Sequence, residues 1–264
     1  MNLIVCVKRV PETAEAEITI DKSGRGIQTD DLVFDINEWD NYAVEEAVRI
    51  KETHGGKITV VTLGPQESQD TLRRALAMGA DEALHLNDPS LLGGDPYATA
   101  KALHAALKDK PFDLIFAGVQ AGDDGYGQVG PILAEFYQIP HATMVTKVEV
   151  NGEKARIHRE LEGGLEEVCE ITLPALLTIQ TGINEPRYVS IMGIRKAKQK
   201  EIRELTLQEL TLAPGEVGSS GSLIELKEIY LPPVGKAAEM LKGNIEELSG
   251  KVVTILKEKG GLGS

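Results

Sequence analysis

Short apolar segments alternate with amphipathic helical segments over the first 150 residues, and this alternation constrains the fold more than any other feature of the chain. The apolar runs that predict strands lie at residues 3–7, 58–63, 82–86, 114–117 and 143–150. The helices between them are predicted at residues 38–54, 68–78, 95–107 and 128–136. Strands separated by helices of this length form βαβ units with right-handed crossovers. The sequence therefore predicts an α/β fold, with a doubly wound, mainly parallel sheet and helices on both faces.

The pattern changes after residue 150. Short strands are predicted at residues 155–160, 167–172 and 175–180 with no helix between them, so we expect antiparallel strands added at the edge of the sheet. Beyond residue 184 the periodicity fades. We therefore divide the chain into an α/β domain, residues 1–183, and a C-terminal arm with a helical tail, residues 184–264.

Three segments of the arm have a recognisable character. Residues 194–203 (IRKAKQKEIR) form a basic run of the kind that is usually a solvated face. Residues 214–222 (PGEVGSSGS) predict a flexible connector, and residues 236–241 and 245–257 predict two short helices. A tail that has no core of its own is expected to pack on a partner subunit.

Composition excludes several classes of function. The net charge of −13 argues against binding to nucleic acid or to an anionic membrane surface. No segment approaches the roughly 20 apolar residues that span a bilayer, and the first ten residues do not have the pattern of a signal peptide. We therefore expect no membrane insertion and a reducing, cytoplasmic location. The histidines are scattered and the two cysteines form no pair motif, so we expect no metal site.

A glycine-rich turn between a strand and a helix, within residues 112–140, is the strongest candidate for a ligand site. Its glycines are Gly118, Gly122, Gly125, Gly127 and Gly130, with the acidic pair Asp123 and Asp124 among them. Glycine lets the backbone approach a phosphate closely, and the first N–H groups of the following helix point toward it. Many α/β proteins use such a turn only to change direction, so this segment alone leaves nucleotide binding and a plain turn both open.

Seven segments, in order and with consistent spacing, resemble the β subunit of electron transfer flavoproteins from residue 1 to about residue 200. They are VCVKRVP (5–11), INEWDNYAVEEAVRIKE (36–52), VVTLGP (60–65), LAMGADEALHL (76–86), AGVQAGDDGYGQVGP (117–131), RELEGGLEEV (159–168) with LPALLT (173–178), and NEPRYVSIMGIRKAK (184–198). The block that joins RELEGGLEEV to LPALLT is the most diagnostic, because composition gives no reason for it.

The resemblance implies a Rossmann-like, adenine-nucleotide-binding domain that pairs with a larger α subunit holding most of a redox-active FAD. The heterodimer would accept electrons from an acyl-CoA dehydrogenase or another dehydrogenase and pass them on. In many members the β subunit holds a structural AMP. In electron-bifurcating members the same site holds a second FAD, which takes hydride from NADH.

Two segments favour FAD over AMP. The loop reads DDGYGQVGP at residues 123–131, where AMP-type chains usually read DDDxNQTGQ, and GGDPYATA at residues 93–100 resembles a segment of bifurcating members. Pro96, which replaces a threonine often found there, and Asp124, which retains part of the AMP-type pattern, point the other way. We therefore expect an electron-bifurcating subunit with FAD, and a simple carrier with AMP is the alternative.

The resemblance also places the cofactor against particular residues. Outside the glycine-rich loop they are Val7, Lys8, Arg9, Asn37, Asp40, Val61, Thr62, Leu63, Gly64 and Thr99. Within the loop they are Gly118, Gln120, Ala121, Gly122, Asp123, Gly125, Tyr126, Gly127, Gln128, Val129 and Gly130. For Asn37 and Asp40 helix capping is an equal alternative.

Four further residues, Glu160, Ile191, Arg195 and Lys196, are expected to face partner proteins. Glu160 matches a family glutamate near the domain that carries the α-bound flavin, and its alternative is an ordinary exposed carboxylate on a strand. Ile191 lies in a segment that docks on dehydrogenases in the family, and its alternative is a core side chain. No nucleophile or acid–base pair stands out, which fits an electron carrier whose cofactor supplies the chemistry.

Two competing classes remain at this point. One is a stand-alone adenine-nucleotide-binding module of the universal-stress type, which would be a homodimer without flavin. It has no need of residues 184–198 or of the tail. The other is an NAD-dependent dehydrogenase that works alone, and the absence of a GxGxxG turn after the first strand counts against it.

Overall fold

The computed structural model describes residues 1–14, 16–233, 235, 238 and 240–261. The strands are β1 Asn2–Cys6, β2 Arg9–Pro11, β3 Phe34–Ile36, β4 Lys57–Leu63, β5 Glu82–Leu86, β6 Leu114–Gly118, β7 His141–Asn151, β8 Lys154–Leu161, β9 Leu165–Thr172, β10 Ala175–Ile179 and β11 Ile202–Leu205. The helices are α1 Glu38–His54, α2 Gln69–Met78, α3 Pro96–Leu107, α4 Val129–Tyr137, α5 Ile191–Gln199, α6 Leu207–Leu210 and α7 Ile245–Glu258. The chain divides into two units, Met1–Glu228 and Ile229–Ser264.

A nine-stranded sheet forms the centre of the first unit, and its described strands have the order β11-β5-β4-β1-β6-β10-β7-β8-β9. The strands from β11 to β7 are parallel to their neighbours. The last two, β8 and β9, are antiparallel additions at one edge. The predicted fold class, a mainly parallel α/β sheet with antiparallel edge strands, is confirmed.

Strand β10 corrects the expectation that residues 175–180 belong to the antiparallel edge. It lies between β6 and β7 and is parallel to both. All of its residues are buried, with Leu176 in one core cluster and Leu177 in the other. Four of its five residues are apolar and Thr178 is buried with them, as is typical of a strand that is covered on both faces at the centre of a parallel sheet. The prediction was wrong because it weighed the missing helix above this largely apolar run.

Helix α1 is held close to the sheet by small side chains. Ala43, Val44 and Ala47 on its buried face are fully inaccessible to solvent. The helix ends at Gly55, which has a φ of 69°, a backbone conformation that glycine adopts without steric cost. The N-terminal turn of α1 therefore lies at a fixed position next to the ends of β1 and β6, where the cleft described below is found.

The segment of residues 214–222 is packed, and the prediction of a flexible connector is wrong. Val217 in its middle is fully buried. The backbone N–H of Ser219 donates to the carbonyl of Leu92 at 3.2 Å. A Cβ added at Gly218 would lie 2.2 Å from the carbonyl oxygen of Ser90, so this glycine serves close backbone packing. The small glycine and serine residues here allow close packing against the wall of the cleft and do not make the segment flexible.

The basic run of residues 194–203 is only partly a solvated face. Its first part belongs to α5, where Ala197 is buried and Arg195 and Lys196 are exposed. Its end belongs to β11, the strand that pairs with β5 at the other edge of the sheet and that periodicity did not predict. Arg73 on α2 donates to the carbonyls of Ala197 and Lys200, which ties the two parts down.

The second unit contains α7. Its start is a capping box, in which Asn244 Oδ1 accepts from the N–H of Glu247 at 3.0 Å and Glu247 Oε2 accepts from the N–H of Asn244 at 3.2 Å. This helix confirms the one predicted at residues 245–257, whereas residues 236, 237 and 239 of the helix predicted at residues 236–241 lie outside the described residues. No residue of α7 is buried. Packing of the tail on a partner, and the boundary at residue 183, stay predictions.

Across the described part of the chain, no helix has both the length and the apolar character needed to cross a membrane.

Candidate functional site

A cleft opens at the carboxyl ends of β1 and β6, where the strand order reverses. From β1 the chain moves outward to β4 and β5, and it then returns to β6 on the other side of β1. Ligands of open α/β sheets bind at such a switch point, because the loops on its two sides diverge there. The cleft has a volume of about 360 Å³, within the usual size of small-molecule sites.

The structure brings most of the predicted cofactor residues together in this cleft. Those that line it are Val7, Lys8, Arg9, Asn37, Asp40, Val61, Thr62, Leu63, Gly64, Thr99, Gly118, Gln120, Ala121, Tyr126, Gly127, Gln128, Val129 and Gly130. Gly122, Asp123 and Gly125 belong to the same loop but do not line the cleft. Their assignment to the cofactor stays a prediction, as does that of the lining residues.

One wall of the cleft was not predicted as a whole. It is formed by Leu91, Leu92, Gly93, Gly94, Asp95 and Pro96, which precede or begin α3. The segment GGDPYATA carried the signal for this wall, but only Thr99 was taken from it. Gly94 permits close packing here, since an added Cβ would lie 3.2 Å from the Cα of Gly218.

Asp40 joins the two strand ends at the base of the cleft. Its Oδ2 accepts from the N–H of Lys8 at 2.7 Å, and its Oδ1 accepts from the N–H of Gly118 at 2.9 Å. Burial raises the pKa of this carboxyl to about 7, although the two backbone donors favour the charged form. Burial, with a smaller contribution from Asp40, also raises the pKa of the Cys6 thiol to about 12, so this thiol is inert at neutral pH.

Asn37 shapes the glycine-rich loop. Its Nδ2 donates to the carbonyl of Gln120 at 2.8 Å, and its Oδ1 accepts from the N–H of Gly122 at 3.0 Å. Its side chain makes no capping hydrogen bond to α1. The capping alternative therefore does not apply to Asn37, which holds the loop to the start of α1 instead.

Lys8 closes one side of the cleft. Its Nζ donates to Asp123 at 2.6 Å and to Asp124 at 2.8 Å. Burial lowers the pKa of Lys8, but these two carboxylates outweigh it and raise the pKa above the ordinary value. The other cation of the cleft, Arg9, has its guanidinium carbon 3.9 Å from the centre of the Phe34 ring. The charge of Lys8 is thus matched by two carboxylates, whereas Arg9 lies over an aromatic ring.

Of the helices that begin at the cleft, α3 and α4 differ in how their first turns are satisfied. Asp95 caps α3, because its Oδ1 accepts from the N–H of Ala98 at 2.8 Å. No side chain caps α4, which begins after Gln128 at the end of the glycine-rich loop. The first N–H groups of a helix have no partner within the helix, so the start of α4 can receive an anion. The start of α3 already holds a carboxylate.

Glycines let the loop and α4 take these positions. Gly127 has a φ of 62°, and an added Cβ would lie 3.3 Å from the carbonyl oxygen of Val119. At Gly130 an added Cβ would lie 2.6 Å from the Thr178 methyl group on β10, so only glycine lets α4 sit this close to the sheet. The arrangement leaves the N-terminal end of α4 open toward the cleft.

The predicted partner residues lie on the surface. Ile191 at the start of α5 is 73% exposed, which rules out the alternative that it is a core side chain. Tyr188 and Met192 beside it are also largely exposed, and Arg195 and Lys196 follow on the same helix. Glu160 is exposed near the end of β8. A contact of these residues with a partner stays a prediction.

Arg187 anchors the chain just before this exposed segment. Its guanidinium donates to Glu45 at 2.8 Å and to Glu52 at 2.7 Å, both on α1. Glu45 is buried, and the two carboxylates raise the pKa of Arg187 above its ordinary value. The exposed apolar residues therefore follow a firmly held ion-pair cluster.

Comparison with known proteins gives a consistent result. The model of the family described as "Electron transfer flavoprotein domain" matches residues 26–210. The chain is 43% identical to electron transfer flavoprotein subunit beta of Bacillus subtilis (strain 168), over 98% of both chains. It is 42% identical to the protein of the same name from Thermoanaerobacterium thermosaccharolyticum, over 98% of this chain and 99% of that one. It is 37% identical to the caffeyl-CoA reductase-Etf complex subunit CarD of Acetobacterium woodii, over 98% of this chain and 99% of that one.

Proposed function

Because the chain belongs to the family of electron transfer flavoprotein β subunits, we propose that it is one half of a heterodimer that carries electrons from dehydrogenases to a downstream acceptor. The other half is the α subunit, which holds most of one FAD. Full-length similarity to these subunits favours this role over a stand-alone nucleotide-binding module. The arm and tail are then parts of the heterodimer.

The cleft binds an adenine nucleotide in this proposal. The observation that carries the assignment is the uncapped start of α4 at the end of the glycine-rich loop, the segment where the resemblance places the cofactor. The phosphates lie against the loop at Gly127 and the first turn of α4. Asp95 already occupies the start of α3 and disfavours a second anion there.

FAD is the nucleotide that we favour, with AMP as the alternative. The cleft contains Lys8 and Arg9, but Asp95 and Asp124 offset them, which favours a ligand with few phosphate groups over a triphosphate. The segments GGDPYATA and DDGYGQVGP point to FAD by their resemblance to bifurcating members. A flavin in the cleft would supply hydride exchange with NADH, and the protein residues bind it and exclude water.

The apolar side chains around Ile191 dock on the electron-donating dehydrogenase in this proposal. Exposed aliphatic and aromatic groups next to basic ones suit a pocket on another protein, since such anchors contribute most of the binding energy at interfaces. Tyr188, Ile191 and Met192 have this character, and Arg195 and Lys196 provide the positive rim.

The test of the nucleotide assignment is Gly127→Glu in the purified heterodimer. The variant places a carboxylate at the proposed phosphate position and should lose one cofactor per heterodimer, while the FAD of the α subunit stays bound. Gly152→Glu is the matched control, because Gly152 has nearly the same φ, 61°, but lies in open space in a turn. Equal cofactor content in the two variants would contradict the site.

Extraction and chromatography of the native heterodimer identify the nucleotide. Two FAD per heterodimer, with bleaching by NADH, would support electron bifurcation. One FAD with stoichiometric AMP would make this protein a simple carrier and would reject the bifurcating role, with the family membership unchanged.

A further inference from the structure

The first turn of α1 reaches three different parts of the molecule. Asn37 holds the glycine-rich loop, and Asp40 holds the strand ends beneath the cleft. Between them, Trp39 points to the other side, where its Nε1 donates to the Oε1 of Gln180 at 3.0 Å. The same helical turn that supports the cleft therefore also makes a hydrogen bond to Gln180, outside the cleft.

Trp39 packs directly against the loop as well. A Cβ added at Gly118 would lie 2.7 Å from the Cβ of Trp39, so the loop leaves the sheet in close contact with this residue. A shift of Trp39 therefore requires a shift of the loop start, because interiors are close-packed and transmit displacements.

Gln180 connects Trp39 to Glu160. It follows β10, and its Nε2 donates to the Oε2 of Glu160 at 3.0 Å. Its Oε1 also accepts from the N–H of Thr181 at 2.9 Å. With the amide reversed, its NH₂ group would face the indole N–H and its oxygen would face a carboxylate. Only one orientation satisfies both neighbours.

Glu160 depends on this donor because of its position in the sheet. It lies directly opposite Glu166 on β9, and like charges opposite each other in an antiparallel pair repel. Glu166 is held by Thr146 at 3.2 Å and by His158 at 3.0 Å. The carboxylate of Glu160 is held by Gln180, so Gln180 determines its direction at the surface.

We infer that Trp39 and Gln180 are positioning residues that couple the nucleotide in the cleft to the carboxylate of Glu160. A nucleotide that orders the loop also fixes Asn37 and Trp39, and through Gln180 it fixes Glu160. By thermodynamic reciprocity, holding Glu160 in place must strengthen nucleotide binding by the same factor. The inference rests on the proposed nucleotide site. It adds that the nucleotide controls the orientation of the exposed Glu160 carboxylate.

The experiment measures binding of AMP by calorimetry to the full-length chain in its heterodimer, after the cleft nucleotide has been removed. Glu160→Ala and Gln180→Leu should each weaken AMP binding roughly threefold to tenfold, the scale of one net hydrogen bond. The double variant should be no weaker than the weaker single variant, because the two residues act in one path. Glu160→Gln should restore most of the affinity, since its amide oxygen still accepts from Gln180.

Glu170→Ala is the matched control. It removes another exposed carboxylate of β9, one that lies opposite Arg156 and contacts Lys154 but not Glu160, Gln180 or Trp39, so AMP affinity should stay that of the wild type. Melting temperature and gel filtration are recorded for every variant to establish that the heterodimer is intact. If Gln180→Leu does not fold, it is replaced by Trp39→Phe. This variant keeps an aromatic ring and removes the N–H donor to Gln180.

Unchanged AMP affinity in Glu160→Ala, or additive losses in the double variant, would overturn the inference. A purely structural role of Gln180 would lower the melting temperature and give additive losses. A wild-type heterodimer that binds neither AMP nor FAD in the cleft would reject the proposed nucleotide site itself. The two failures are therefore distinguishable.

Discussion

In the cleft, the polar groups at the strand ends are held by other groups of the same chain, whereas residues 188–194 expose apolar side chains that no described residue covers. Asp40 and Asn37 fix the backbone of the cleft with hydrogen bonds. Tyr188 and Ile191 instead extend from a short segment anchored by Arg187. The difference indicates that the base of the cleft is held by the chain itself, whereas the outer segment has the character that we propose for a docking surface.

The largest effect on the stability of the cleft is expected from the titration of Asp40. Its pKa is 3.8 for the ordinary group and about 7 in the folded protein. Between these values the folded protein holds one proton more than the unfolded chain. Its unfolding free energy therefore falls as pH rises, by up to about 4 kcal/mol, and levels off above the folded pKa.

Urea unfolding of wild type and Asp40→Asn from about pH 4 to about pH 8 measures this contribution. The wild type should lose stability relative to the variant as pH rises through this window. Parallel curves for the two proteins would show that Asp40 is not the titrating group.

Gly118→Val tests how closely the cleft is packed. An added Cβ would lie 2.4 Å from Asp40 Oδ1 and 2.7 Å from Trp39 Cβ, so the loop or α1 must shift. We expect a loss of about 3 kcal/mol in unfolding free energy, by overpacking of a site that cannot expand. Gly215→Ala is the control, because nothing lies within 4 Å of its added Cβ. Similar losses at both positions would argue against a tightly packed cleft.

Val217→Ala tests whether the segment of residues 214–222, behind the cleft wall, contributes to the stability of the core. Val217 is fully buried in a segment whose sequence suggests flexibility. Removing its two methyl groups should cost about 2 kcal/mol if the segment is part of the core. Thermal unfolding of this variant is compared with that of Leu223→Ala, whose side chain is 74% exposed. An unchanged melting temperature for Val217→Ala would place the segment outside the cooperative unit.

Ile191→Ala should have the smallest effect on stability and a clear effect on electron transfer. Because Ile191 is 73% exposed, the change in unfolding free energy should stay within about 0.5 kcal/mol. Electron transfer from the dehydrogenase should slow while flavin content stays constant. Val33→Ala is the control, since Val33 is 71% exposed elsewhere on the surface. Equal rates in the two variants would remove residues 188–194 from the proposed docking surface.

The fold class and most residues of the cleft could be predicted from the amino-acid sequence. From β1 to α4, periodicity located the helices and the strands of the main sheet but missed β2 and β3, because apolar runs and amphipathic patterns report burial and these two strands are only three residues long. The glycine-rich loop and the resemblance then identified most of the residues that line the cleft, since loops after neighbouring parallel strands must meet at the same edge of the sheet.

How distant segments meet could be seen only in the three-dimensional arrangement of the chain. The place of β10 inside the sheet depends on which strand pairs with it, and a local pattern does not specify a partner. The packing of Val217 and Gly218 behind the cleft wall joins residues that lie far apart in the chain, and glycine in a sequence is compatible with both freedom and close contact. The path from Trp39 through Gln180 to Glu160 likewise joins three separate segments. Hydrogen bonds between side chains depend on three-dimensional distance and direction, which neither composition nor spacing encodes.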